Sequence, residues 1–169
     1  MNPDLRRIRS DEGFKLRTLR LRALADAPMV FGSTRAREES FPDDVWHARA
    51  AGGASGLDRA TFIAERDGEW LGLASGIASA GSATDPGPFL VGMFVDAAAR
   101  GQGVGAALVE TVVAWARSRG AERLYLWVTA TNTPAIALYS RRGFRRTGDT
   151  QPLPHSPRVI EFQMVRDLR

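Results

Sequence analysis

Arg100, Gly101, Gln102, Gly103, Val104 and Gly105 stand between an apolar run that ends at Asp96 and a helix-forming stretch that continues from Ala106. Residues of these types at this spacing are suited to holding phosphate. Glycines let a backbone come close to a ligand, and the first-turn N–H groups of a helix have no intrahelical partner. The aligned peptide dipoles add about half a positive charge at that end. Arg100 adds a full charge on a planar fork that matches phosphate oxygens. The turn reads as a pyrophosphate site, set against the plainer reading of a glycine-rich turn that only caps a helix.

Three nucleotide-binding patterns compete for it. A Walker-type loop needs Lys and Ser or Thr after its last glycine, whereas Gly105 is followed by Ala106 and Ala107. The dinucleotide fingerprint is met loosely by Gly101, Gly103 and Ala106, but the next strand-like run, Arg123 to Thr129, leads into Ala130-Thr131-Asn132 with no acid to hold a ribose. The third pattern, R/Q-x-x-G-x-G/A, is met by Arg100, Gly103 and Gly105.

The elements that must position this turn follow from periodicity. Leu5 to Arg9 alternates as a first strand, and Ser10-Asp11-Glu12 can cap a helix through about Ala25. Ser33-Thr34 opens a charged helix from about Arg35 to Ala51, kinked near Pro42, and Gly52 to Gly56 reads as a loop. Ala60 to Arg66 and Glu69 to Ala78 form a hairpin about Asp67-Gly68. A loop rich in Gly and Pro, Gly81 to Pro88, precedes the strand Phe89 to Val95. A helix from about Gln102 to Arg119 stops at Gly120, with Val104, Leu108, Val112 and Trp115 as its core stripe. The strand Arg123 to Thr129 leads to a short helix from Asn132-Thr133-Pro134 to Arg142-Gly143. Phe144 to Thr147 and Val159 to Val165 close the chain as strands around a proline-rich loop, Gly148 to Pro157.

Composition narrows the setting. A chain of 169 residues, 44% apolar and 25% charged, matches one globular domain spanning residues 1–169. No apolar run approaches the roughly 20 residues that cross a bilayer, and MNPDLRRIRS lacks the apolar core of a secretory signal. Cysteine is absent, so disulfides, thiolate metal sites and a cysteine nucleophile are excluded, and a cytoplasmic setting is expected. The net charge is +4, and Lys15 is the one lysine among 23 basic residues. The arginines are scattered, with no basic stripe interleaved with aromatics, so neither nucleic acid nor membrane is expected as a partner. No spacing suits a metal.

The order β-α-α-β-β-β-α-β-α-β-β, the Arg100 to Gly105 pattern, and Asn132-x-x-Ala135-x-x-x-Tyr139-x-x-x-Gly143-Phe144 together resemble the GNAT superfamily of N-acetyltransferases. The likeness covers nearly the whole chain, and its specific part runs from Val91 to Phe144. It implies an α/β (α+β) fold, a central mixed sheet of roughly six to seven strands flanked by about four helices. It also implies acetyl-CoA as co-substrate, wedged between two splayed parallel strands, Phe89 to Val95 and Leu124 to Thr129.

The same resemblance assigns roles. The backbone of Met93, Phe94 and Val95 would pair with the pantetheine amides like an added strand. Pyrophosphate would rest on Arg100, Gly101, Gln102, Gly103, Val104, Gly105 and Ala106, with Gly103 and Gly105 where a Cβ would push the backbone away. Asn132 would bridge the cofactor arm, cap the following helix, or do both. Tyr139 matches the family tyrosine that protonates the departing thiolate, against the reading of a packing tyrosine between Ile136 and Phe144.

For the base, Glu38, Glu39, Asp85, Asp96, His47 and His155 are candidates. Glu39 is preferred because Phe31-Gly32-Ser33-Thr34 followed by acids resembles the acceptor-side helix of some bacterial members, although a solvated carboxylate is the plainer reading. The expected acceptor is a small primary amine, with a protein N-terminus as runner-up and a non-catalytic acyl-CoA-binding module as the rival of another class. A homodimer is left open.

Overall fold

The computed structural model describes residues 2–169. Seven strands form one sheet in the order β1-β2-β3-β4-β5-β7-β6. They are β1 (Asp4–Arg7), β2 (Arg59–Arg66), β3 (Glu69–Ile77), β4 (Phe89–Val95), β5 (Arg123–Thr129), β6 (Arg145–Leu153) and β7 (Ser156–Asp167). Five helices accompany them: α1 (Gly13–Asp26), α2 (Arg35–Glu39), α3 (Asp43–Ser55), α4 (Val104–Ser118) and α5 (Thr133–Arg141). The β2–β3 hairpin turns at Asp67 (φ 52°) and Gly68 (φ 80°), the positive-φ pair that Asp-Gly favours.

Alternation along the strands sorts the core into two layers. Phe62, Ala64 and Ala74 pack with Val109, Val112, Val113 and Trp115 of α4. Ile63 and Leu73, one residue out of phase, pack with Leu16, Leu24 and Trp46 of α1 and α3. The sheet thus lies between α4 on one face and α1 with α3 on the other. Gly76 in mid-strand has a steric reason, because a Cβ there would meet the Trp115 ring at 2.3 Å.

All pairings are antiparallel except that between β4 and β5. That pair has a single register contact, Phe89 with Tyr125, supported by Tyr125 N–H donating to Pro88 O at 3.0 Å. Beyond it the strands part. The cause lies in β4: Leu73 opposes Phe94 while Ser75 opposes Val91, so β4 carries one residue more than β3 between those pairs. Gly92 in this bulge has φ 63°, a conformation that costs glycine little. β5 meanwhile pairs along its whole length with β7.

The structure corrects several sequence expectations. The helix expected over Arg35 to Ala51 is two helices, with Pro42 as the extended residue before α3, since proline breaks a helix interior but suits its start. α3 also runs through Gly52 and Gly53 to Ser55, where Gly53 fits closely over Thr61. The proline-rich segment Gly148 to Pro157 is mostly strand. β6 extends to Leu153 and β7 begins at Ser156, with Pro152 tolerated because β6 is an edge. β1 ends at Arg7, two residues early, although Ile8 N–H still reaches Thr61 O at 2.9 Å.

Candidate active site

Two cavities adjoin along β4. The first, a groove of about 680 Å³, is lined by Met93, Phe94 and Val95, by the turn Ala99 to Ala106 without Gln102, and by Asn132, Ala135, Leu138, Arg141 and Arg142. Where β4 has left β5, its main-chain groups have no strand partner on that side, so an extended polar ligand can supply one. α4 begins at Val104, and its first intrahelical bond runs from Ala107 N–H to Gly103 O. The amides of the preceding residues remain for a ligand.

The two motif glycines differ. Gly103 has φ 82° and open space around a built Cβ, so its requirement is conformational. Gly105 has ordinary helical geometry, but a Cβ would sit 3.1 Å from Met93 Cε and 3.2 Å from Leu138 Cδ2. Its requirement is close packing of α4 against β4 and α5. The expectation that a Cβ at both positions would displace a ligand is thereby split between two physical reasons.

Arg100 lines the groove, but its guanidinium is already engaged. Nε donates to Val95 O at 3.0 Å, and Nη2 pairs with Asp26. Gln102 turns away, with Nε2 donating to Ala98 O at 2.9 Å and Oε1 accepting from Arg66. Positive charge on the opposite wall comes from Arg141 and Arg142, and Arg142 Nε is buried with no hydrogen-bond partner among the described residues. Asn132 accepts from Ala135 N–H at 3.4 Å as the cap of α5, and it lines the groove as well.

Tyr139 is the buried residue of α5. Its ring packs edge-on against Phe144 with centroids 5.8 Å apart, and it belongs to the α4-side core. It is not among the groove-lining residues, although Leu138 and Arg142 beside it are. Burial pushes its phenol well above the ordinary range, so it stays protonated at neutral pH.

The second cavity, about 440 Å³, is lined from β4 by Leu90, Val91 and Gly92 and shares Val30 and Phe31 with the first. Arg20, Arg49 and Arg59 line it, as do Trp46, Gln151, Pro154 and Glu161. Thus the segment expected as a loop still reaches this cavity, as the tip of the β6–β7 hairpin. The His155 ring Nε2 lies 2.7 Å from Phe31 O and ties that tip down.

The proposed bases fall elsewhere. Glu39 is 51% exposed, 3.7 Å from Arg35, and lines neither cavity. Its neighbour Glu38 is 2% exposed and clamps Arg20 and Arg49, each at 3.0 Å. Burial would raise the Glu38 carboxyl, but hydrogen bonds and charge from both arginines hold it below the ordinary value. Asp96 caps the turn at Ala97–Ala99 and pairs with Arg22. Asp85 is bound within its own loop, and His47 packs on Phe14. The carboxylate that lines the second cavity is Glu161, 7% exposed, accepting from Gln151 Nε2 at 2.8 Å. Its sequence signal was the alternation Ile160, Glu161, Phe162, Gln163, Met164, which puts two polar residues on one strand face. Both are buried.

No group of three or more His, Cys, Asp or Glu side chains among the described residues could hold a metal. No helix there is long and apolar enough to cross a membrane.

Comparison with known proteins agrees with this geometry. A mycothiol acetyltransferase from Acidothermus cellulolyticus is 40% identical over 98 residues, which cover 52% of this chain and 30% of that protein. A streptothricin acetyltransferase from Streptomyces lavendulae is 35% identical over 146 residues, 81% of this chain and 66% of the other. The chain therefore spans less than two thirds of either relative. A solved acetyltransferase from Salmonella typhimurium, with its cofactor acetyl-CoA, shares the fold at a TM-score of 0.80 and 17% identity, covering 100% of this chain and 95% of that one. The acetyltransferase (GNAT) family model matches residues 20–144, a span that holds the bulge, the glycine turn and α5. The chain belongs to the acetyltransferase (GNAT) family.

Proposed function

We propose that this chain transfers the acetyl group of acetyl-CoA to a primary amine of a small molecule, by direct attack while both are bound. The observation that carries the reading is the meeting of two cavities at the point where β4 parts from β5. One has the open strand edge and helix amides that suit pantetheine and pyrophosphate, and the other has a carboxylate and polar walls that suit an amine. The relatives named for mycothiol and streptothricin support acetyl transfer to such an acceptor, and the fold shared with a protein solved with acetyl-CoA supports that co-substrate.

The first cavity fits acetyl-CoA by its own features. Gly103 keeps the turn free of side-chain bulk, the first amides of α4 would face an anion bound there, and Arg100, Arg141 and Arg142 add charge. When bound, acetyl-CoA supplies a carbonyl already activated as a thioester. The protein's share is to hold the amine against that carbonyl, to polarise the carbonyl with β4 N–H groups, and to manage two protons. Glu161, the carboxylate that lines the second cavity, is proposed to accept the proton of the incoming ammonium, directly or through water. Tyr139, held protonated by burial, is the phenol proposed to return one to sulfur.

Release of free thiol from acetyl-CoA across an amine panel tests the reading. Turnover with at least one small amine is expected, with CoA competing and NAD neither binding nor competing. Tighter binding of NAD than of CoA would return the groove to the dinucleotide class.

A further inference from the structure

The second cavity has a charge pattern that acetyl transfer to an amine alone does not explain. Three arginines from three elements converge on it: Arg20 of α1, Arg49 of α3 and Arg59 of β2. Glu38 neutralises one charge, and its two oxygens are taken up by Arg20 and Arg49. Arg20 also lies over the Phe31 ring at 4.7 Å, and Arg49 over Trp46 and Phe41 at 5.0 Å each. Both are fixed in place. Arg59 has no hydrogen-bond or ion-pair partner among the described residues. Two further donors on the same walls also lack partners: Ser33 Oγ and Trp46 Nε1 are buried and bond to nothing. Buried polar groups are rarely left so, and two on the walls of one cavity, beside the unpaired and solvent-accessible guanidinium of Arg59, mark a ligand that accepts hydrogen bonds. Glu161, on β7 opposite Thr129 at the open end of β5, is the counter-charge at the other side.

We infer that the amine acceptor also carries an anionic group, a carboxylate or a phosphate, which Arg59 and its neighbours bind while its ammonium lies toward Glu161. The inference rests on the proposed acetyl transfer for the identity of the cavity, and it narrows the acceptor to a zwitterionic amine. A polyamine, with cations at both ends, meets three guanidinium groups and is disfavoured. The state of Arg59 agrees: although the side chain keeps access to solvent, the protein packed around it lowers its guanidinium affinity for the proton first, and the like charges of Arg49 and Arg20 lower it further. The attraction of a bound anion would oppose both effects. No phosphate-type motif marks this site in the sequence, because its arginines are 29 and 10 residues apart and are brought together only by the packing of α1, α3 and β2.

Two matched pairs test it by calorimetry: phenethylamine against phenylalanine for the carboxylate, and ethanolamine against phosphoethanolamine for the phosphate. The anionic member of at least one pair should bind 10-fold or more tighter, the usual scale for a charge-assisted contact, and the pair that responds identifies the anion. Arg59→Ala should erase that preference and leave the member without the anion unchanged, and Arg59→Lys should restore part of it. Arg145→Ala, an exposed arginine of the β6 edge, should change nothing. Equal binding within both pairs, or an equal loss of both members in Arg59→Ala, would overturn the inference. The same amines in the thiol-release assay separate the two readings. Anion-dependent binding without any turnover would sink acetyl transfer and leave the anion site, whereas turnover indifferent to the anion would do the reverse.

Discussion

Phe89 and Tyr125 form the single rung that joins β4 to β5, and their rings pack with centroids 5.7 Å apart. That contact is a hinge pin for the site. β4 begins at this rung, and beyond it the two strands diverge and leave the main chain of β4 open. The two cavities along β4 both depend on where this rung stops.

The two motif glycines should respond differently to the same substitution. Gly103→Glu puts a negative side chain into open groove space and should weaken acetyl-CoA binding by tenfold or more. Its backbone strain should cost about 1–2 kcal/mol. Gly105→Glu should lose affinity too, but it also drives a side chain into Met93 and Leu138, and overpacking of this kind costs about 1–3 kcal/mol or more. Calorimetry with thermal denaturation checks both. A melting temperature for Gly105→Glu equal to that of the parent protein would show that Gly105 is not a packing residue.

Tyr139→Phe removes one hydroxyl and keeps the ring on Phe144. If the phenol returns a proton to sulfur, kcat should fall by roughly 10²–10⁴-fold while the acetyl-CoA Kd barely changes. A change of less than about threefold, with chemistry rate-limiting, would leave Tyr139 as a core residue only.

Adjacent glutamates on α2 should behave as opposites. Glu38→Gln leaves Arg20 and Arg49 facing each other without their shared anion, a loss of about 3–5 kcal/mol for a broken buried pair. Glu39→Gln, on the solvent side, should stay within about 0.5 kcal/mol of the parent and turn over normally. A tenfold fall in kcat for Glu39→Gln would reinstate it as the base.

Acid should unfold this protein through a cluster at the end of β1. Glu12 is 7% exposed, and burial alone would raise its carboxyl. The bidentate Arg6 fork, at 2.8 and 2.9 Å, and the Arg9 N–H overcome that and hold it at about 2. Glu65, on the same arginine, is also lowered. A depressed carboxylate stabilises the fold above its ordinary pKa and ceases to do so as pH falls through the folded value. Stability should therefore drop between about pH 4.5 and pH 2 in urea melts. Arg6→Gln should flatten that dependence, and an unchanged slope would mean that the cluster does not control acid sensitivity.

The glycine turn, the α4 stripe and the β2–β3 hairpin were legible because each rests on local chemistry: positive φ, a 3.6-residue period, Asp-Gly. The β6–β7 hairpin was not, since Pro152, Pro154 and Pro157 argue for a loop unless the strand is known to lie at an edge. Glu39 was preferred as the base, and Glu161 was not among the candidates, for a related reason. Sequence neighbours place an acid near a motif, whereas Glu161 reaches the cavity through pairing of β7 with β5, a contact 32 residues away along the chain. The bulge at Gly92 left one faint trace, a glycine within an apolar strand.

That bulge decides which changes the site can tolerate. Because β4 presents its main chain to the groove, the contact made there is the same whatever side chains Met93, Phe94 and Val95 carry. Their side chains answer to packing instead, Phe94 in the core under α1 and α3 and Met93 against Gly105. Only proline, which carries no N–H, would delete the contact itself. On the proposed reading, specificity for the acceptor can therefore drift by substitution at Leu90 and Val91, earlier on the same strand, without the proposed cofactor contacts being rebuilt.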